Sequence, residues 1–178
     1  RRHTRSLCDW SSDVCSSDLT IVATIDELVA EDLDLVVVAS VNDVHVEHAL
    51  AAIRSGIPVV VDKPMGRDLY ETERIFNEAD IAGVQVSVFY NRIWDSDTLT
   101  IKKLLASNEF GEPIRFESRF ERFRPDLTPG AWRESTDESL GGGLLLDLQT
   151  HLVSTSIYLF GPAQLKFASV DRKSTRLN

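Results

Sequence analysis

The chain has 178 residues, a formal net charge of −9 and an apolar share of 43%. That is enough for one domain or one and a part, with the composition of a globular protein. The acidic balance, with no basic cluster in mid-chain, argues against nucleic acid or an anionic membrane as partner. No apolar run reaches membrane-spanning length and the first residues lack the apolar core of a secretory signal, so the expected location is the cytoplasm.

Residues 1–19 are rich in Ser, Asp and Arg, hold both cysteines, Cys8 and Cys15, and follow neither a helical nor a strand period. They look like translated sequencing-adapter DNA, as do residues 172–178, and both ends are set aside from fold reasoning. Two cysteines without further ligands nearby do not make a zinc site, so no metal and no disulfide are expected. Thr24–Ala30 reads as a short helix, with Asp26 and Glu27 at its positive end. Leu35–Ala39 is an apolar run expected to form a buried strand. Val44–Ser55 sets Val46, Ala49, Leu50 and Ile53 at helical spacing, and Gly56 stops it. Pro58–Asp62 follows as a strand. Leu69–Ala82 is a helix with Ile75 and Phe76 inward, stopped at Gly83, and Val84–Tyr90 is a further strand. Strands alternating with helices over short links predict a parallel sheet with right-handed crossovers.

Past Tyr90 the pattern changes. Asp97–Asn108 is amphipathic through Leu99, Ile101, Leu104 and Leu105. Ile114–Phe123 alternates apolar with charged residues, as a strand of an antiparallel sheet does when one face packs and the other meets water. A polar loop leads to a helix over Gly143–Phe160, ended by Gly161-Pro162, and Leu165–Val170 begins another strand.

Two stretches carry chemistry. Ile57-Pro58-Val59-Val60-Val61-Asp62-Lys63-Pro64 is an apolar strand ending in an acid and a lysine. Ligands of open α/β sheets bind at such carboxyl ends, and Pro64 stiffens the backbone under Lys63. Gly141-Gly142-Gly143 opens into an apolar helix carrying Asp147 and His151, which sit at i and i+4 on one face. An acid and a base so placed, beside a loop able to hug a ligand, suggest proton transfer; the same spacing also serves as a plain surface pair worth a few tenths of a kcal/mol.

Together these stretches resemble the Gfo/Idh/MocA family, glucose-fructose oxidoreductase, inositol dehydrogenase and their relatives. Asp62-Lys63-Pro64 is similar to its Glu-Lys-Pro, and Asp147 and His151 to its Asp-x-x-x-His, with Gln149 where glycine is usual. Ser40-Val41-Asn42-Asp43-Val44-His45 resembles its Thr-Pro-Asn-x-x-His loop, Asn91-Arg92 its Asn-Arg segment and Trp132-Arg133 its Trp-Arg segment. The ordered set is far more specific than any one member.

The resemblance implies a fold of class α/β: a partial Rossmann-type parallel sheet over 20–91, then the start of an α+β domain with an antiparallel sheet over 92–171. It implies NAD or NADP as cofactor, a sugar, cyclitol or similar hydroxyl substrate, and a homo-oligomeric parent. His151 would take the hydroxyl proton, Lys63 would stabilise the reacting oxygen, and Asp147 would orient the substrate or the imidazole. Ser40, Asn42, His45, Asp62 and Lys63 would line the cofactor, His45 having helix capping as its alternative. Arg92, Trp94, Trp132 and Arg133 would contact substrate. No Gly-x-Gly-x-x-Gly phosphate loop is present, so the chain is expected to be an internal fragment, inactive by itself, with an exposed apolar edge at Leu35–Ala39, poor solubility and weak or no cofactor binding. A dinucleotide-sensing regulator of the same fold and an NAD-dependent glycosidase are the competing readings. The presence of Lys63, Asp147 and His151 together favours an enzyme.

Overall fold

The computed structural model describes residues 20–121, 123 and 141–169. Its centre is a parallel sheet of β1 (Val36–Val38), β2 (Val59–Asp62) and β3 (Val86–Phe89), in that spatial order. Val36 lies opposite Val59, and Val59 opposite Val86. The helices α2 (His45–Arg54) and α3 (Leu69–Ala82) make the crossovers, packing against one another and over one face of the sheet. A short α1 (Ile25–Val29) precedes the sheet and rests on α2.

Local chemistry accounts for these bounds. Thr24 caps α1 by accepting from the Glu27 amide at 3.2 Å, and Asp68 caps α3 by accepting from the Glu71 amide at 2.8 Å. Gly83 ends α3 in the left-handed conformation, which costs glycine no steric clash. One core holds the unit together: Val36, Val38, Val59 and Val61 from the strands meet Ala49, Leu50, Ile53, Ile75 and Ala79 from the helices.

The open face of the sheet departs from expectation. Among the described residues no layer covers it, so Val37 is 61% exposed and Leu35 is also exposed, where burial on both faces was expected of these runs. Phe76, expected to point inward, is exposed; Ile75 beside it fills the core, because adjacent helical residues diverge by roughly 100°.

After β3 the chain makes a 3₁₀ turn at Asn91–Trp94 and enters α4 (Ser96–Ser107). Residues 114–121 are exposed and form no strand, and neither do residues 161–169. A strand exists only as part of a ladder, and no neighbour pairs with these stretches among the described residues. The alternation still tells: Phe116 and Phe120, on the face expected to pack, contact Phe160 and His151 at ring-centroid distances of 5.0 and 6.3 Å. The expected helix over Gly143–Phe160 divides into a π-helical turn, Leu145–Gln149, and α5, Thr150–Phe160. None of the helices among the described residues is long and apolar enough to cross a membrane.

Candidate active site

β2 ends in Asp62, and the next two residues place Lys63 at the carboxyl edge of the sheet before a cis Lys63–Pro64 peptide. The Asp62 carboxylate turns back and accepts the Lys63 backbone N–H at 2.8 Å. The Lys63 ammonium reaches across to the π turn. It donates to the Asp147 carbonyl oxygen at 2.8 Å and to Asp147 Oδ1 at 3.1 Å, joining residues 84 apart in sequence. Both side chains are mostly withdrawn from water, with 14% and 23% of their surface left exposed.

The π turn belongs to this geometry. Single π turns inside α-helices are rare and concentrate at functional sites. Here the turn presents both the backbone and the side-chain oxygen of Asp147 to one ammonium, so Lys63 is fixed by two bonds to a single residue.

His151 follows one turn on, at the start of α5, and only 8% of it is exposed. Its Nδ1 is buried without a hydrogen-bond partner. Its pKa is lowered from the ordinary imidazole value, first by burial, then by the positive charges of Lys63 and Arg92; Asp147 and Asp62 oppose the shift. The imidazole is therefore held neutral, the form able to accept a proton. Such an orphaned buried nitrogen on a neutral imidazole suits a site that receives a polar ligand.

The remaining predicted residues divide. Arg92 approaches from the 3₁₀ turn, pairs with Asp95 at 3.0 Å, and lies 5.7 Å from the centroid of the Phe120 ring. Trp94, on the same turn, is exposed. Trp132 and Arg133 lie outside the described residues. The Ser40 hydroxyl shares a 3.1 Å hydrogen bond with His48 Nδ1, at the carboxyl end of β1. His45 is fully buried, with Nδ1 2.8 Å from the Pro64 carbonyl oxygen and Nε2 3.1 Å from that of Ser40. Both ring nitrogens thus face protein carbonyls, and His45 ties the β1 loop to the β2 loop. Helix capping, its alternative role, is not what it does: its ring reaches across to another loop. Asn42 is buried too, and its amide donates to the Gly141 carbonyl at 2.8 Å.

Three participants escaped sequence reasoning. The π turn leaves no mark in an i,i+4 count. Phe120 sits edge-on to His151 from a segment read only as a strand. The third is the close approach of Gly141, within the glycine run, to Asn42: a Cβ there would lie 2.6 Å from Asn42 Cβ. Three glycines in a row were the available signal, since close backbone approach is one of the few uses that demand them. Among the described residues no group of three or more His, Cys, Asp and Glu is gathered to hold a metal ion.

Comparison with known proteins bears on this geometry. Residues 6–90 match the family model described as "Oxidoreductase family, NAD-binding Rossmann fold", and residues 98–176 match the "GFO/IDH/MocA C-terminal domain". The chain is 44% identical over 130 residues to the uncharacterized oxidoreductase YdgJ of Escherichia coli strain K12, covering 73% of this chain and 37% of that one. It is 34% identical over 154 residues to the scyllo-inositol 2-dehydrogenase (NADP(+)) IolW of Bacillus subtilis strain 168, covering 86% and 42%. Among solved structures, an NAD-binding protein from Listeria innocua superposes with a TM-score of 0.74 at 31% identity, covering 82% of this chain and 42% of that one. The chain thus spans about two fifths of the length of the relatives it matches.

Proposed function

The chain belongs to the Gfo/Idh/MocA family of NAD-binding oxidoreductases, and on that premise we propose that it carries the proton-transfer half of a nicotinamide-dependent dehydrogenase acting on a hydroxyl of a sugar, cyclitol or related polyol. The observation that carries this reading is the bond from the Lys63 ammonium, on the sheet edge, to Asp147, on the segment bearing His151. The relatives support the substrate class: one is named for scyllo-inositol, another for 1,5-anhydro-D-fructose.

The cofactor, when bound, would supply the hydride acceptor. Ser40 and Asp62, at the carboxyl edge of β1 and β2, would offer it polar groups. His151, neutral because burial and two cations disfavour its charged form, accepts the proton of the substrate hydroxyl. Lys63 stabilises the negative charge that grows on the oxygen as the proton leaves, in surroundings partly closed to water. Asp147 holds the ammonium in place for this task.

The test is turnover of a polyol panel by the intact parent protein, scyllo-inositol included, followed through the absorbance of the reduced nicotinamide with NAD⁺ and NADP⁺. His151→Ala should lower kcat by roughly a hundred- to ten-thousand-fold with little change in cofactor affinity. Equal turnover by the variant would remove His151 from the base role.

A further inference from the structure

Asn42, expected to line the cofactor, also has a partner within the protein for its amide nitrogen. It is 4% exposed and donates to the Gly141 carbonyl at 2.8 Å, across 99 residues of sequence. Gly141 answers with a close approach that only glycine permits: its φ is +64°, and an added Cβ would lie 2.6 Å from Asn42 Cβ and 3.3 Å from Arg67 Cγ. Both partners are buried, so this is a fitted contact between the 3₁₀ turn leading into α2 and the loop leading into the π turn. From Gly141 the chain needs only Gly142 and Gly143 before the helical turns begin, and the Asp147 amide already donates to the Gly143 carbonyl at 3.1 Å. Any displacement of Gly141 therefore passes directly into the turn that grips Lys63.

We propose that Asn42 is a positioning residue: its carboxamide latches the glycine loop to the first module and so sets the distance between Lys63 and the π turn carrying Asp147 and His151. Loss of the donor should free the loop and misplace the imidazole relative to the ammonium, with the cofactor edge of the sheet intact. The proposal rests on the oxidoreductase reading for its catalytic consequence and not for its structural one.

The experiment uses the full chain and two kinds of measurement. Asn42→Asp keeps the size of the side chain but turns the donor into an acceptor facing a carbonyl oxygen. Hydrogen–deuterium exchange of peptides spanning residues 143–149 should accelerate about tenfold or more in this variant while β2 is unchanged. The His151 ring titration followed by NMR should move up toward the ordinary imidazole value as burial and the Lys63 charge recede. Polyol oxidation should lose about a hundredfold in kcat with an unchanged KM for the nicotinamide, the split expected of misplacement. Unchanged exchange over 143–149 overturns the latch. So does a raised cofactor KM at constant kcat, which would return Asn42 to the cofactor. If Asn42→Asp does not fold, Gly141→Ala strains the same contact from the other side and must give the same local acceleration. Global unfolding of both would also overturn the proposal, making the contact a general support. If the wild-type chain turns over no polyol, exchange and ring titration still judge the latch, and turnover by the intact parent protein judges the oxidoreductase reading.

Discussion

Removing the Asp147 carboxylate should unsettle Lys63 by an amount the structure bounds. Breaking a fully buried ion pair by deleting one partner costs about 3–5 kcal/mol, because the other charge stays desolvated and uncompensated. Here the pair retains 14% and 23% exposure, and the ammonium keeps the Asp147 backbone carbonyl at 2.8 Å in any variant of that residue. Both facts shrink the penalty, to about 2 kcal/mol for Asp147→Ala. Lys63→Met should cost less, about 1 kcal/mol, since its long apolar stem is replaced in kind. The double variant leaves no stranded charge, so the cycle should show a favourable coupling of about 1–2 kcal/mol. Urea unfolding followed by circular dichroism measures this directly. With a slope of about 1–3 kcal/mol per molar, the Asp147→Ala midpoint should fall by about 1 M with the slope unchanged. If the two single effects add to within about 0.3–0.5 kcal/mol, the groups do not interact energetically and the reasoning fails.

Lys63→Met removes the second cause of the lowered His151 pKa, so the acidic limb of any residual pH–rate profile should move to higher pH; an unmoved limb would detach the ammonium from the imidazole. The same shift has a stability consequence. Between the depressed folded value and the ordinary imidazole value near 6.5, the unfolded chain binds a proton that the folded chain refuses. Folding stability contributed by His151 is thus complete above that window and is lost as pH falls through it, and His151→Gln should flatten this part of the stability curve relative to wild type. In the core, Ile75 is fully buried, and Ile75→Ala should cost about 2–5 kcal/mol in denaturant unfolding; a loss under 1 kcal/mol would mean the sheet–helix interface is loose.

How much of this was legible in the sequence depends on where the determining interaction lies. The bounds of α3 are read to the residue; Gly83 is a local signal, and the Asp68 cap that the structure adds also acts within one turn of itself. The parallel order β1-β2-β3 follows from alternation of strands with helices, which topology alone constrains. The side of a strand that meets water is another matter. Val36, Val37 and Val38 are chemically identical, and the sheet buries the first and third while the middle one stays exposed; only the arrangement of helices decides this. The segment 114–121 shows the complementary failure. Its alternation sets Phe116 and Phe120 on one face, and each ring meets another while staying exposed, yet pairing depends on a neighbour that no pattern within the segment specifies. At the site, Lys63, Asp147 and His151 were legible as residue types on the right elements. The bonds that join Lys63 to Asp147, and Asn42 to Gly141, were not, because they run over sequence separations of 84 and 99 residues and through backbone carbonyls, which every residue possesses.

One consequence of that placement concerns Lys63 alone. Its ammonium is fixed by Asp147, and the loop beneath it is fixed by His45, whose ring spans the Ser40 and Pro64 carbonyls. A lysine carries about 2 kcal/mol of side-chain conformational entropy, so a lone lysine at a sheet edge would spend most of its time away from any given oxygen. Holding it at both ends removes that cost before a ligand arrives, which is the condition for electrostatic stabilisation to be felt at the reacting atom instead of being consumed in reorganisation. The buried His45 thus contributes to one end: a cation of fixed position whose charge is felt by the His151 imidazole. Any substitution that frees either end of Lys63 should lower kcat before it alters substrate affinity, because it removes preorganisation and leaves the binding groups in place.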